Sequence, residues 1–227
     1  MSILLKPFLL LTVIFMMNSL NAQDWPNFKE FKEANARLPQ VKQNEKRVVF
    51  MGNSITIGWL QTHPDFFKNK PYVNRGISGQ TTPQMLVRFR ADVVDLDAAA
   101  VVLLAGTNDI AGNTGPVTLE MILDTIISIT EIAQANDIKV ILCSVLPAFD
   151  YPWRPGLAPN VKIPKLNKMI KRYAEESVAY YLDYFTALED GNNGMIKEYT
   201  TDGVHLTLEG YQVMEPLVEN ALQKVLK

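Results

Sequence analysis

The chain has 227 residues and a nearly balanced charge, with 22 lysines and arginines against 24 aspartates and glutamates. Hydrophobic residues make up 48% and charged residues 20%, which is ordinary for a globular protein and excludes disorder as the main state. A pI of about 5.8 and the lack of a lysine- and arginine-rich run argue against nucleic-acid binding. The single cysteine, Cys143, excludes an intrachain disulfide, and two histidines leave too few ligands for a zinc site of cysteine and histidine.

Residues 1–22 have the layout of a secretory signal peptide. Lys6 is the only charge, an apolar run follows over 8–17, and small or polar residues lead to Ala22, after which we expect cleavage. The alternative is an uncleaved anchor, but the run is shorter than the roughly 20 apolar residues that a span needs. The sequence therefore predicts an exported domain, residues 23–227, that is periplasmic or extracellular and has no stable membrane insertion.

An alternation of strand and helix patterns fills most of the remaining chain. Residues 23–43 are polar with scattered aromatic side chains, which favours a short helix on the domain surface. Apolar, β-rich runs then predict five strands, over 47–51, 72–73, 98–104, 139–146 and 179–184. Amphipathic patterns predict helices over 82–94, 117–135, 162–176 and 207–226.

This alternation indicates βαβ units. Near-continuous apolar strands separated by amphipathic helices are typical of a parallel sheet that is covered on both faces. We therefore predict one doubly wound α/β domain. In such folds the ligand site lies beyond the carboxyl ends of the strands, where this sequence has polar stretches at 52–54, 76–79 and 106–109 and a long loop after Pro147.

Of the two histidines, His205 is the better candidate for a general base. It lies three positions after Asp202, in a loop that enters the last predicted helix, so both side chains can project the same way. Asp202 can then fix the tautomer of the imidazole and stabilise its protonated form. His63 has only the adjacent Asp65 to orient it, and we interpret it as a surface loop residue.

Ser54 is the best candidate nucleophile. It follows a buried strand and Gly52, which places it where the next helix begins, and N–H groups at a helix start favour nearby negative charge. Ser144 lies in a predicted buried strand, and Ser78 directly precedes a glycine that is itself a candidate donor. A Gly-x-Ser-x-Gly elbow is absent from the chain, which argues against the α/β-hydrolase fold.

Four sequence blocks, in order, resemble those of the SGNH (GDSL-type) hydrolases. They are VFMGNSI at 49–55, NRGISGQTT at 74–82, LAGTNDI at 104–110 and DGVHLT at 202–207. Each block is weak alone, but four in the family's order and spacing are a specific signal. The resemblance implies a flavodoxin-like sheet of order 2-1-3-4-5 and serine-dependent ester hydrolysis without a cofactor.

The resemblance also implies roles for five residues. Ser54 would be the nucleophile, and Asp202 and His205 would complete a catalytic triad. The oxyanion hole would consist of the backbone N–H groups of Ser54 and Gly79 and the side chain of Asn108. Simpler explanations are a turn with positive φ at the glycine and a capped strand-to-helix loop at the asparagine.

The chain departs from the family pattern before the nucleophile. The family's usual aspartate is Asn53 here. That aspartate is not the triad acid, so the departure bears on the hydrogen bonding of the nucleophile turn rather than on the mechanism. We interpret Asp109, in the third block, as a residue that caps a loop.

The loop over 148–159 is expected to reach over the site. Phe149, Tyr151 and Trp153 could stack on a sugar ring, and Arg154 could pair with a carboxylate or phosphate. The alternative is a proline-stiffened loop whose aromatic side chains pack on the body of the domain.

The residues also bear on the class of substrate. No long apolar patch is visible and export is predicted, so we expect short acyl groups, acetyl above all, on carbohydrates. The blocks also resemble the platelet-activating-factor acetylhydrolase branch of the family, which implies a short acyl pocket. The alternatives are a lysophospholipase or lipase-like acylhydrolase, and a non-catalytic glycan-binding module on the same fold.

Overall fold

The computed structural model describes residues 24–227; the predicted signal peptide lies outside the described residues. The strands are β1 (Val48–Gly52), β2 (Tyr72–Gly76), β3 (Ala100–Leu104), β4 (Lys139–Cys143) and β5 (Tyr180–Leu182). They form one all-parallel sheet in the order β2-β1-β3-β4-β5, as predicted. The chain runs outward from β1 to β2 and then returns to β3. The resulting switch point lies at the carboxyl ends of β1 and β3, where such folds bind ligands.

Eight α-helices accompany the sheet within the described residues. They are α1 (Lys29–Arg37), α2 (Ser54–Thr62), α3 (Thr82–Asp92), α4 (Thr107–Ile110), α5 (Leu119–Gln134), α6 (Pro159–Glu176), α7 (Phe185–Leu188) and α8 (Leu208–Val225). Helices α4 and α7 have four residues each, too few to show a helical period, so the sequence does not reveal them. No helix in residues 24–227 is both long and apolar enough to cross a membrane.

The sheet separates two hydrophobic cores. Every residue of β1 and of β3 is buried, which explains the uninterrupted apolar runs. Successive side chains point to opposite faces: Val49 and Met51 join the core that includes residues of α3, α5 and α6, whereas Val48 and Phe50 join the core that includes residues of α2 and α8. Both faces are thus covered, as predicted.

The second strand is longer than predicted. It continues through Asn74 and Arg75 to Gly76, and both polar side chains are buried. Asn74 Nδ2 donates to the carbonyl of Thr56 at 2.7 Å, and its Oδ1 accepts from the Gly76 N–H at 3.0 Å. A hydropathy pattern misses such a strand because these polar groups find their partners only in the folded chain. β4 ends at Cys143, earlier than predicted, and Ser144 follows it.

Candidate active site

The nucleophile turn joins β1 to α2. Asn53 precedes the helix, and its Oδ1 accepts a hydrogen bond from the Ile55 N–H at 3.0 Å. The amide side chain therefore caps this helix, as an asparagine commonly does. The turn also packs directly on β2, because a Cβ atom added to Gly76 would lie 2.3 Å from the backbone nitrogen of Ile57.

Three side chains from distant parts of the sequence form a hydrogen-bonded chain. Ser54 Oγ lies 3.0 Å from His205 Nε2, and His205 Nδ1 lies 2.7 Å from Asp202 Oδ2. The other oxygen of Asp202 accepts from the backbone N–H groups of Val204 at 2.9 Å and of His205 at 2.8 Å. Since a carboxylate accepts from Nδ1–H, Nε2 is left to accept from the serine hydroxyl.

The electrostatics of Asp202 favour its ionised form. Partial burial raises the pKa of this carboxyl, but hydrogen bonds from the backbone and ring of His205 and from the Val204 N–H outweigh burial, so the pKa is lowered below 3.8. The side chains of His205 and Asp202 remain 37% and 36% exposed. The site is therefore open to solvent and to a large ligand.

The loop before α8 fixes the position of His205. Its carbonyl accepts from Thr200 Oγ1 at 2.8 Å and from the Thr201 N–H at 2.9 Å. Two residues later, Thr207 caps α8 by accepting from the Gly210 N–H at 3.3 Å. The backbone of His205 is thus fixed between a hydrogen-bonded turn and the start of α8.

The candidate oxyanion donors come from two further strand ends. Gly79 has φ +77°, while a Cβ atom there would meet its nearest neighbour only at 3.8 Å, so the turn requires glycine for its conformation rather than for space. Asn108 Nδ2 donates one hydrogen to the carbonyl of Gln80 at 3.0 Å, which leaves its second hydrogen for a ligand. Neither the Ser54 N–H nor the Gly79 N–H donates to an acceptor within residues 24–227.

Asn113 and Asp109 tie these two loops together. Asn113 Nδ2 donates to the carbonyl of Gly79 at 3.0 Å, and its N–H donates to the carbonyl of Asn108 at 3.0 Å. Asp109 accepts from the Thr82 N–H at 2.9 Å and from its hydroxyl at 2.7 Å. Burial raises the pKa of Asp109, although the bonds from Thr82 oppose this. Asn113 carries no recognisable signal in the sequence, because its contacts form only when the two loops meet.

The predicted contact residues of the loop over 148–159 lie in two different environments. Tyr151 is fully buried, so it takes the alternative role of packing on the body of the domain and is not available to stack on a sugar. Its hydroxyl lies 3.1 Å from the Thr107 carbonyl, to which it donates. Trp153 is 45% exposed, stacks on Tyr151 with ring centroids 5.1 Å apart, and lies 6.0 Å from the ring of His205. Arg154 Nη1 donates to the carbonyls of Ala111 and Gly112.

A depression of about 300 Å³ adjoins Asp202 and Gly203, in the loop before α8. Phe149, which is 61% exposed, lines it together with Asp150 and Asp190. An apolar ring and carboxylates therefore share the surface beside the triad.

His63 is not the isolated loop residue that the sequence suggests. Its Nδ1 lies 2.6 Å from Glu215 Oε1 on α8, and Trp59 Nε1 donates to the same oxygen at 3.2 Å. No local sequence pattern reveals this carboxylate, because it lies 152 positions later in the chain. The pair links the end of α2 to α8. Within residues 24–227 no group of three histidine, cysteine, aspartate or glutamate side chains is arranged to hold a metal ion.

The sheet order and the Ser–His–Asp chain at its carboxyl edge together define an SGNH-type α/β protein. The chain belongs to the GDSL-like lipase/acylhydrolase family, whose model matches residues 50–213. Members of this family are generally ester hydrolases. The predicted resemblance is thereby confirmed, and the match reaches from the first sequence block to beyond the fourth.

Several solved structures are similar over almost the whole described chain. A candidate acylhydrolase of Bacteroides fragilis is 48% identical, with a TM-score of 0.88 over 90% of this chain and 100% of the other. A GDSL-like lipase of Bacteroides thetaiotaomicron is 48% identical, with a TM-score of 0.86 over 88% and 99%. A candidate platelet activating factor of Streptococcus pneumoniae is 27% identical, with a TM-score of 0.71 over 86% and 90%. A search of curated proteins gave no match.

Proposed function

We propose that the protein is a serine esterase that removes short acyl groups, acetyl above all, from carbohydrates through an acyl-enzyme. The observation that carries this proposal is the 3.0 Å contact between Ser54 Oγ and His205 Nε2, with Asp202 on the other ring nitrogen at 2.7 Å. A base within hydrogen-bond reach, itself held by a carboxylate, is what a hydroxyl nucleophile requires. Family membership supports the same reaction class.

The first half of the reaction forms the acyl-enzyme. Ser54 Oγ attacks the ester carbonyl carbon while His205 Nε2 takes the hydroxyl proton, and Asp202 stabilises the resulting imidazolium. The negative oxygen of the tetrahedral intermediate accepts hydrogen bonds from the Ser54 N–H, the Gly79 N–H and Asn108 Nδ2. The bond to the alcohol oxygen then breaks, and His205 gives its proton to the departing alcohol.

The second half returns the free enzyme. Water attacks the acyl carbonyl while His205 Nε2 accepts one of its protons, and the same donors hold the second oxyanion. Collapse of this intermediate releases the carboxylic acid, and the proton on His205 returns to Ser54 Oγ. Atoms and protons balance without a cofactor.

The surface around the triad supports a carbohydrate as the alcohol part. Trp153 has one ring face on Tyr151 and is 45% exposed beside His205, so its free face suits the apolar face of a sugar ring. In the adjoining depression, Asp150 and Asp190 offer oxygens to hydroxyl groups next to the ring of Phe149. A long acyl chain would need a continuous apolar surface, whereas the sequence shows no long apolar patch. We therefore rank a lysophospholipase or lipase-like activity second.

Export belongs to the same proposal. The layout of residues 1–22 supports it, and a periplasmic or extracellular enzyme would meet polysaccharides directly. The substrate is then a small molecule or oligosaccharide ester, and neither nucleic acid nor a membrane is expected as a partner.

The catalytic assignment is tested with a serine-directed fluorophosphonate and p-nitrophenyl acetate. We expect labelling and hydrolysis by the wild type, and loss of both in Ser54→Ala. Ser78→Ala is the control, because it removes a hydroxyl at the neighbouring strand end. A Ser54→Ala variant that keeps its activity would contradict the nucleophile assignment. A wild type that is neither labelled nor active on any ester would support the non-catalytic glycan-binding module.

The substrate is tested by comparing acetylated oligosaccharides with p-nitrophenyl esters of increasing chain length. We expect acetyl esters to be preferred, and Trp153→Ala to raise KM for the oligosaccharides more than for p-nitrophenyl acetate. Trp25→Ala is the matched control, because this tryptophan is 40% exposed on the segment before α1. A preference for long chains would favour the lipase-like alternative.

A further inference from the structure

A buried arginine contacts two of the strand ends that carry the candidate site. Arg88 lies on α3, and its side chain is completely buried. Its Nη2 donates to the carbonyl of Gly52 at 3.3 Å and to the carbonyl of Arg75 at 2.8 Å. These carbonyls belong to the ends of β1 and β2, next to the nucleophile turn and before the turn that carries Gly79.

The same guanidinium reaches the third strand end through Gln80. Arg88 Nε donates to Gln80 Oε1 at 2.6 Å, and the Gln80 side chain is buried. The carbonyl of Gln80 accepts a hydrogen bond from Asn108 Nδ2 at 3.0 Å. Gln80 also follows Gly79 directly in the chain, so its position fixes that of the glycine. One rigid group therefore connects the segments that supply the Ser54 N–H, the Gly79 N–H and the amide of Asn108.

The network is closed to water on its outer side. Arg88 Nη1 pairs with Asp92 at 2.8 Å, and Asp92 also accepts from Asn35 Nδ2 on α1 at 2.7 Å. The ring of Phe31, also on α1, lies 5.9 Å from the Arg88 guanidinium carbon. Burial lowers the pKa of Arg88, and the hydrogen bond and charge of Asp92 oppose this. The segment before the sheet thus covers the network.

Stability alone is a weak explanation for such a group. Burying a charged side chain is costly, and well-packed apolar residues often serve a core equally well or better. A guanidinium differs from other side chains in its planar fork of donors, which fixes several acceptors in one geometry. Here those acceptors are backbone and side-chain oxygens of β1, β2 and the Gly79–Gln80 turn.

We propose that Arg88, acting through Gln80, is a positioning residue that sets the spacing of the three oxyanion donors. This inference rests on the esterase function proposed above. Oxyanion donors act because they are already aimed at the developing charge before the reaction begins. A small displacement of one donor is therefore expected to reduce turnover, although Arg88 touches neither substrate nor nucleophile.

The test compares Gln80→Leu and Arg88→Lys with Arg47→Lys. Arg47, the residue before β1, is a matched control because it is 4% exposed. Like Arg88 it donates to two backbone carbonyls, those of Pro39 and Leu96. For p-nitrophenyl acetate we expect kcat to fall about 10- to 100-fold in the first two variants, a loss typical of misplaced catalytic groups. KM should stay within about twofold, as for an interaction made only in the transition state. Arg47→Lys should keep kcat while lowering the melting temperature.

A conservative variant and a double-mutant cycle separate positioning from general destabilisation. Gln80→Glu loses, like Gln80→Leu, the bond that Gln80 Nε2 donates to the Pro26 carbonyl at 2.8 Å, but it keeps an acceptor for Arg88 and should therefore retain more turnover than Gln80→Leu at equal melting temperature. In an Asn108→Ala background, Gln80→Leu should cost less than about 3-fold, because coupled groups are non-additive. Equal losses in both backgrounds would overturn the proposal, as would wild-type kcat in folded Gln80→Leu and Arg88→Lys.

The outcomes also distinguish this inference from the proposed function. If the wild type is inactive or Ser54→Ala stays active, the esterase assignment fails and takes this inference with it. If Ser54→Ala is inactive but the Gln80 and Arg88 variants behave like Arg47→Lys, the esterase stands and the positioning role is wrong. Should either variant fail to fold, the other still decides between these outcomes.

Discussion

The sheet differs between its amino edge, where the parallel strands begin, and its carboxyl edge, where they end. At the amino edge, an asparagine or aspartate with positive φ precedes each of the first four strands: Asn44, Asn69, Asp97 and Asp137. These residues tolerate the left-handed conformation and so form tight turns into the strands. At the carboxyl edge, buried polar side chains follow the strands instead, namely Asn53, Asn108, Asp109 and Ser144. The amino edge is thus built for tight turns, whereas at the carboxyl edge buried polar groups lie in a fixed arrangement beneath the solvent-exposed triad.

Cavity size does not distinguish the edges. A depression of about 380 Å³ lies near the starts of β1 and β2, lined by residues that include Leu38, Arg47 and Tyr72. The depression beside Asp202 is smaller, about 300 Å³. Neither depression has a serine or a histidine among its lining residues, but the smaller one includes Asp202, which is hydrogen-bonded to His205. Convergent, hydrogen-bonded polar groups therefore locate the candidate site where volume would not.

Among variants that keep the nucleophile, the largest effect is expected for Asp202→Asn. An asparagine can hold the ring of His205 in the wrong tautomer, and such a change costs roughly 10⁴-fold in kcat in a triad. Hydrogen bonds keep the pKa of Asp202 below 3.8, so the wild-type carboxylate is charged at pH 5 and at pH 8 alike. Titration of this carboxylate therefore does not contribute to the loss between those two pH values. Asp97→Asn, at the amino edge, is the control that should keep full turnover. A loss under about tenfold in Asp202→Asn would contradict the triad.

A smaller loss is expected for Asn108→Ala. Removing one oxyanion donor typically costs about 100- to 1000-fold in kcat, and KM should change little. Asn136→Ala is the amino-edge control, since Asn136 lies between α5 and β4 and its Nδ2 donates to a backbone carbonyl at 2.7 Å. Steady-state kinetics on p-nitrophenyl acetate make the comparison. Unchanged turnover in folded Asn108→Ala would leave this side chain with only a structural role.

Much of the fold is visible in the sequence because both faces of the sheet are covered. β1 and β3 are buried throughout, so their apolar runs are unbroken and the helices between strands keep a clear period. The predicted strand order 2-1-3-4-5 has another source. It follows from the four sequence blocks and their family resemblance, since an alternating pattern alone does not order the strands.

The site is visible only where its chemistry is local. Asp202 and His205 lie three positions apart, and Ser54 follows a strand, so residue types and spacing suffice to suggest them. The pairing of His63 with Glu215 joins positions 152 apart, and no local pattern reveals it. Tyr151 illustrates a further limit, because a tyrosine in a long loop gives no sign that its hydroxyl will be buried and will donate to the carbonyl of Thr107, the first residue of α4.

At the amino edge we expect changes in stability without changes in chemistry. Arg47→Met keeps much of the buried volume but removes the donors to the Pro39 and Leu96 carbonyls. Losing hydrogen bonds from a charged donor should lower the free energy of unfolding by about 2 kcal/mol. Urea titration measures this loss, and kcat on p-nitrophenyl acetate should stay within about twofold. A large fall in kcat in the folded variant would show that the edges are not independent.

The smallest predicted effect concerns the buried carboxyl of Asp109. Because burial raises its folded pKa above 3.8, the folded state binds this proton more tightly than the unfolded state. The contribution of Asp109 to stability should therefore increase as the pH falls through the raised pKa towards 3.8, and it is lowest above that window. The amide introduced by Asp109→Asn does not titrate, so the stability difference between wild type and this variant should change in favour of the wild type from pH 7 to pH 4. Urea titrations at both pH values, with Asp97→Asn as the exposed control, measure this difference. A constant difference would mean that the carboxyl titrates as it does in the unfolded chain. Asp109 would then be in contact with water despite its burial at the carboxyl edge.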